Sequence, residues 1–421
     1  MTKRTGGALH ALRVRDFRLI AGGNMVSQMG TWVQYVAMGW VARELTDNTL
    51  LIAFVFAAQW FPYLVLSPIT GVIADRIDRR KIVLWGNVAM IAPALTLGLL
   101  IQLHHIAIAS LVALVIAGGA AQAFTQPAAN AFIPALVPPE DLHSAIALNA
   151  GLSNSTRVIG PTIGGVIISA WGVAWGFHIN AISFLGVAIA CVAVKTRPKR
   201  NPPSKTGYLD GLRSGITYLR ANRAAMRIMT LVAAVTLLMM HAGLMSIMAK
   251  DVLHGNAGTY GLLSSGPGFG FVAAALLTTT LTNNRRRTTA LFLAAAGTGV
   301  ALVIVGLSRS VSLSVAGMGV FGFCIMTMTT VATMLLLATS ADEYRGRMMG
   351  LYGVVSTGMF TVNSLIGGAV ATVLGAPFTI WLCGTAILAA VAAFALTGTI
   401  DVIREGLDGR GAEQRLESTR G

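Results

Sequence analysis

Arg157 is the one cation of this chain that falls in the middle of a long apolar stretch. An unpaired guanidinium in hydrocarbon costs at least about 2.5–3.5 kcal/mol, so it must face something other than lipid. It is spaced i, i+3, i+7 with Gly160 and Gly164 and shares their helix face. Two chemistries fit. Arg157 is either a cavity residue that binds an anionic substrate group or communicates with a coupling ion, or a structural cation satisfied by carbonyls or by Asn149 and Asn154. Around it, Gly160, Pro161, Gly164 and Gly165 bend a helix, and the three glycines remove side-chain bulk.

A second group of polar residues interrupts the first apolar stretch: Asn24, Ser27, Gln28, Thr31 and Gln34. Asn24, Gln28 and Thr31 follow i, i+4, i+7 spacing, so they form one face. That face must turn to a cavity or to a neighbouring helix. Gln59 adds an amide in the second stretch. Proton-carrying groups are scarce. No Asp or Glu lies deep in a span, and the flanking acids are Asp75, Glu44, Asp47 and Asp251. His241 and His178 have suitable unperturbed pKa values, which makes them, with Asp75, the candidates for proton coupling. No metal-ligand cluster, phosphate-binding loop or nucleophile motif is present, which argues against an enzyme and a cofactor. The three cysteines lack metal-ligand spacing.

The elements that must position these groups are membrane helices. Of the 421 residues, 55% are hydrophobic and 11% charged, where a soluble chain would carry about a quarter charged. Twelve apolar segments of bilayer length are expected at 17–41, 49–74, 82–103, 107–132, 144–170, 173–194, 226–249, 258–281, 288–307, 311–338, 347–374 and 376–398. They divide into a first bundle (1–194), a basic linker (195–225), a second bundle (226–400) and a polar, loose tail (401–421). In the linker, Leu212, Ile216 and Leu219 recur among Arg213, Arg220 and Arg223, as in a helix lying on a membrane surface. The net charge of +15 reads as topology, not as nucleic-acid binding. Nearly all cations fall in the segments that are cytoplasmic if both termini are inside, leaving Arg43, Lys250 and Arg309 outside. Anionic lipid headgroups are favoured partners there.

The halves repeat. PEDLHSAIAL at 139–148 aligns with DEYRGRMMGL at 342–351, and the same shift places IGG at 163–165 on IGG at 366–368. NNRRR at 283–287 sits where the first half has GVIADRIDRRK at 71–81. That polar run, with Arg76, Arg79, Arg80 and Lys81, is expected to be a cytoplasmic loop.

GVIADRIDRRK resembles the signature between helices 2 and 3 of the major facilitator superfamily, G-x-L-A-D-R-x-G-R-K, with Asp78 in place of the second Gly. RVIGPTIGG at 157–165 resembles the superfamily's antiporter motif, with Ala147 and Thr156 replacing two upstream glycines. Together with MGTW at 29–32, ADRIDRR at 74–80 and RGRMMGLYG at 345–353, the chain resembles the enterobactin-exporter-like branch, the transmembrane secretion effectors. The resemblance implies an all-α membrane protein with twelve transmembrane helices in two pseudo-symmetric six-helix bundles. It implies a monomeric, proton-driven exporter of siderophores, drugs or antibiotics in the inner (plasma) membrane, with both termini cytoplasmic. A non-transporting receptor or assembly factor is the alternative. Substrate contacts would come from Arg157, Asn24, Gln28, Thr31, Gln34, Gln59, Asn149 and Asn154. Gly71, Asp75, Arg76, Arg79 and Arg80 would form a conformational latch with Arg345 and Arg347 at the start of helix 11.

Overall fold

In hydrocarbon every backbone N–H and C=O must be satisfied within the chain, and an apolar run does this by winding into a helix. The computed structural model describes residues 10–195, 208–239 and 243–418, with backbone alone for residues 64, 67–76, 134, 143, 208–212, 357 and 409–418. The described residues form helices and no strand. In the first half they are α1 (Arg15–Leu45), α2 (Thr49–Arg76), α3 (Arg79–Gln102), α4 (Ile108–Phe132), α5 (Leu142–Trp171) and α6 (Ala174–Ala193). Then follow α7 (Tyr208–Ala221), α8 (Arg223–Leu238), α9 (Gly243–Ile247) and a π-helical turn (Met248–Val252). The remainder is α10 (Ala257–Thr278), α11 (Asn284–Leu307), α12 (Val311–Thr339), α13 (Arg345–Leu374), α14 (Ala376–Leu396) and α15 (Thr399–Ser418).

Nine spans among the described residues are long and apolar enough to cross a membrane. α1 and α5 are not among them, although they run 31 and 30 residues. Their length suffices and their apolarity does not. These are the helices that carry the amide face and Arg157.

Three expectations change. The polar run 71–81 is not a loop. α2 continues to Arg76 and α3 starts at Arg79, because Asp78 caps α3 by accepting the Arg80 N–H at 2.9 Å. The seventh span is interrupted: α8 ends at Leu238, Met239 is extended (ψ 156°), and helix resumes at Gly243. The tail is helical as far as Ser418. α15 buries Ile403 and Leu407 and packs on α8. The linker helix is present as α7, with Leu219 buried, Arg213 and Arg220 exposed, and Gly215 against the Arg347 and Leu351 side chains of α13.

The chain divides into two compact units. Unit 1 is Met1–Lys205 with Met245–Ser265, and unit 2 is Thr206–Leu244 with Gly266–Gly421. In unit 1, α1 packs on α5 and α6, α3 on α4 and α6, and α2 on α4. In unit 2, α11 packs on α12 and α14, and α8 on α12, α13, α14 and α15. The internal repeat is visible in element boundaries. α5 and α13 each have 30 residues and end at a glycine with positive φ, Gly172 (+91°) and Gly375 (+79°). Asn283 caps α11 by accepting the Arg285 N–H at 2.8 Å, as Asp78 caps α3.

Candidate functional site

α1 is held between α5 and α6 by close backbone approach and by amides. A Cβ on Gly160 would sit 2.5 Å from the Cβ of Trp32, and one on Gly164 would sit 3.1 Å from the Cα of Val33. On the other side, Gly30 packs against Ser183 and Asn180 of α6. Chains this close leave little room, so the polar side chains of α1 must find partners across the seam. Gln28 Nε2 donates to Ser153 Oγ of α5 at 3.0 Å. Asn180 Nδ2 of α6 donates to Gln34 Oε1 at 2.7 Å, and Ser183 Oγ donates to Asn180 Oδ1 at 3.1 Å. Asn180 is 1% exposed. The predicted face of α1 is therefore shared: Gln28 reaches α5 and Gln34 reaches α6. Thr31 instead donates to the Ser27 carbonyl of its own helix at 2.9 Å. Asn24 is half-buried on the same helix.

Arg157 lies near the middle of α5 and is exposed. Asn149 and Asn154, on the same helix, are half-buried. Gln59 of α2 has its Oε1 buried with no hydrogen-bond partner. Beside the seam, Trp32, Tyr35 and Phe56 meet edge to face, with ring centroids 5.6 and 5.1 Å apart. Sequence reasoning missed Asn180, Ser153 and these rings. The signal for Asn180 was available, as an amide within the mostly apolar HINAISFLG run at 178–186.

Gly165, the last member of the antiporter-like motif, has its nearest neighbours on α10. A Cβ there would meet the Ala257 carbonyl and the Gly261 Cα at 3.0 Å, and one on Gly261 would meet the Gly165 Cα at 2.7 Å and the Pro161 carbonyl at 2.8 Å. The motif thus serves two contacts: Gly160 and Gly164 seat α1, and Gly165 seats the start of α10.

The cationic turn between α2 and α3 caps helix ends. Arg80 Nε donates to the Cys191 carbonyl at 2.6 Å and Nη2 to the Val192 carbonyl at 3.0 Å, at the C-terminus of α6. Arg79 Nη1 reaches the Ala131 carbonyl near the end of α4 at 3.4 Å. A helix C-terminus favours such cations. In unit 2, Arg345 pairs with Asp342 at 3.0 Å and donates to the Leu337 carbonyl at 3.2 Å, while Arg347 lies 5.0 Å over the Tyr344 ring. The side chains of Gly71, Asp75 and Arg76 and the whole of His241 lie outside the described residues. His178 stands apart from the α1 seam, beside Gln102 of α3 (3.4 Å) and the Trp175 ring.

The chain resembles known transporters in sequence and fold. It is 24% identical over 365 residues to the enterobactin exporter EntS of Shigella boydii, covering 86% of each chain. It is 26% identical over 212 residues to macrolide efflux protein A of Streptococcus pyogenes, covering 49% of this chain and 52% of that one. It thus spans about half the length of several curated relatives it matches. Among solved structures, a bacterial homologue of the iron transporter ferroportin in the inward-facing state superposes with a TM-score of 0.69 at 15% identity, covering 93% of this chain and 98% of that one. The nucleoside transporter NupG superposes with a TM-score of 0.71 at 8% identity, covering 90% and 98%. At these identities the superpositions speak for the fold. The transmembrane secretion effector family matches residues 6–405. With all but the chain ends covered by that match, this protein belongs to the transmembrane secretion effectors of the major facilitator superfamily, a family of membrane transporters and not of enzymes.

Proposed function

We propose that the chain exports small organic molecules by alternating access, using twelve spans in two six-helix bundles with both termini cytoplasmic. The observation that carries this reading is the polar seam of α1. Its amides reach α5 and α6, α1 and α5 are less apolar than the nine candidate spans, and α5 presents an exposed Arg157 near its middle. A polar, charged midpoint in a membrane helix marks a substrate or ion path. A receptor or assembly factor has no need of it. Arg157 favours a substrate with an anionic group, which its planar fork engages on two sides. Efflux relatives of the siderophore and macrolide classes support the export direction. Proton antiport belongs to the same proposal, with Asp75, His178 and His241 as its candidate carriers, as does a latch from Asp75 to the start of α13.

Cells lacking the protein should accumulate the substrate, and a panel of siderophores and macrolides finds it. Accumulation unchanged for every compound would remove the export reading. Cysteines at Asn48 and Asn284 should be labelled from opposite sides of the membrane, and labelling from one side would break the twelve-span topology.

A further inference from the structure

Three helix ends of unit 1 meet at one edge: α1 and α3 begin there and α6 ends there. Arg15 Nη1 of α1 donates to the Ala193 carbonyl of α6 at 3.3 Å, and Arg80 of α3 holds the Cys191 and Val192 carbonyls. The last carbonyls of a helix repel anions. Here three in succession are covered by guanidinium groups. Two acids at the edge are occupied by backbone. Asp16, 7% exposed, accepts the Lys195 N–H at 3.0 Å, and Asp78 caps α3. The side chains of Arg15, Lys81 and Lys195 remain at the surface.

From this edge two apolar strips run along neighbouring helices, for α3 packs on α6 through Met90, Ala94, Ala181 and Phe184. On α6, Ile182, Leu185, Ile189 and Val192 are exposed on one face and lead to Lys195. At 1.5 Å per residue this strip is about 15 Å long, the depth of one bilayer leaflet. On α3, Lys81 and Trp85 are exposed one turn apart, and Val88 and Ala92 continue their face. A tryptophan between a cation and an apolar strip marks the headgroup level.

The second copy treats the same edge differently. In unit 2 the edge of α8, α11 and α14 is covered by α15, which packs on all three. Arg404 Nη2 of α15 donates to Thr289 Oγ1 of α11 at 3.3 Å, and Asp401, Glu405 and Asp408 lie on its exposed side. The chain that leaves α6 has the opposite character in sequence: KTRPKRNPPSK at 195–205 carries five cations and no acid. One edge is closed by the protein's own acid-faced helix. The other presents cations above two apolar strips, the complement of an anion with apolar tails.

We infer that the α1–α3–α6 edge is a binding site for an anionic phospholipid, its phosphate held by Arg15, Lys81 and Lys195 and its acyl chains along the strips of α3 and α6. This is one site at one place in the molecule, distinct from the general attraction of cationic segments for anionic headgroups. Bound there, the lipid ties the ends of three helices together. The site stands whether or not the chain exports, and whichever leaflet this edge faces.

Native mass spectrometry of the full-length protein in detergent tests it, with phosphatidylglycerol and phosphatidylcholine of the same acyl chains as probes. The first phosphatidylglycerol should bind at least about tenfold more tightly than the first phosphatidylcholine. Lys81→Gln and Lys195→Gln should each weaken that binding about fivefold, the effect of one cation at an anionic surface. Lys195→Arg, which keeps the charge, should bind as wild type does. Arg285→Gln with Arg286→Gln, at the equally cationic start of α11, should also leave it unchanged. Both lysines are exposed, so the unfolding midpoint without lipid should stay at the wild-type value in both glutamine variants. Phosphatidylglycerol should raise that midpoint in the wild type and not in the double variant Lys81→Gln with Lys195→Gln. Equal affinity for the two lipids, an equal loss in the α11 variant, or displacement of the lipid by inorganic phosphate would overturn the site.

Discussion

Gly160 and Asn363 occupy the same register position in the two copies of the repeat, on α5 and α13. Each helix has 30 residues, starting at 142 and 345. Their neighbours behave differently. Against Gly160, α1 runs unbroken from Arg15 to Leu45, with the Trp32 Cβ in the space a side chain would fill. Against Asn363, α8 stops. The Asn363 amide, 2% exposed, donates from Nδ2 to the Leu237 carbonyl at 2.6 Å and to the Met239 carbonyl. A continuous helix would satisfy those carbonyls with N–H groups four residues on. Asn363 supplies the donors in their place, so the interruption is satisfied within protein, as irregular backbone at membrane depth requires. One substituent on a shared scaffold decides whether the neighbouring helix passes or ends. The first copy keeps an unbroken helix at a polar seam, and the second keeps a helix end.

The largest expected effect is at Asn363. Asn363→Leu removes the donor from two half-buried carbonyls and should cost about 1–3 kcal/mol, read as a lower unfolding midpoint of the detergent-solubilised protein. A midpoint equal to wild type would mean that the interruption does not depend on Asn363. Placing the second copy's residue in the first sharpens the comparison. Gly160→Asn forces a Cβ against Trp32 and should cost about 1–3 kcal/mol through overpacking, with Gly160→Ala at the lower end. A neutral Gly160→Asn would show that α1 can move aside, and the two positions would no longer be contrasting.

Where the copies agree, equal effects are expected. Asp78→Ala and Asn283→Ala each remove a helix cap of the same geometry and should each cost about 1 kcal/mol. A clear difference between them would break the equivalence of the two turns. The smallest effect concerns the seam. A double-mutant cycle on Gln28→Ala and Ser153→Ala should return a coupling of about 0.6 kcal/mol, typical of an interhelical hydrogen bond in a membrane protein. A coupling near zero would remove Gln28 from the seam.

Much of this was legible in the sequence, for local reasons. Apolar length and charge placement locate most spans, and the repeat shows in PEDLHSAIAL and DEYRGRMMGL. What escaped was set by contacts between distant segments. Nothing within 236–242 breaks a helix by itself, since no Gly or Pro stands there. The donor that ends α8 comes from more than a hundred residues away. The polar run 71–81 suggests a loop because its charges exclude it from lipid, yet Asp78 turns most of it into two helix ends. Asp78 is also the residue that departs from the family signature, and its capping bond gives the departure a purpose. The tail suggested disorder by composition, while the i, i+4 pair Ile403 and Leu407 was enough to dock α15.

The central claim is that a charged, polar first copy handles an exported molecule. Flux measured in proteoliposomes under an imposed pH gradient, wild type beside Arg157→Ala, tests it most directly. The wild type is predicted to move at least one siderophore or macrolide, and Arg157→Ala to move none while remaining folded and inserted. A wild type that moves none of them, or an Arg157→Ala variant that moves them equally well, would contradict it.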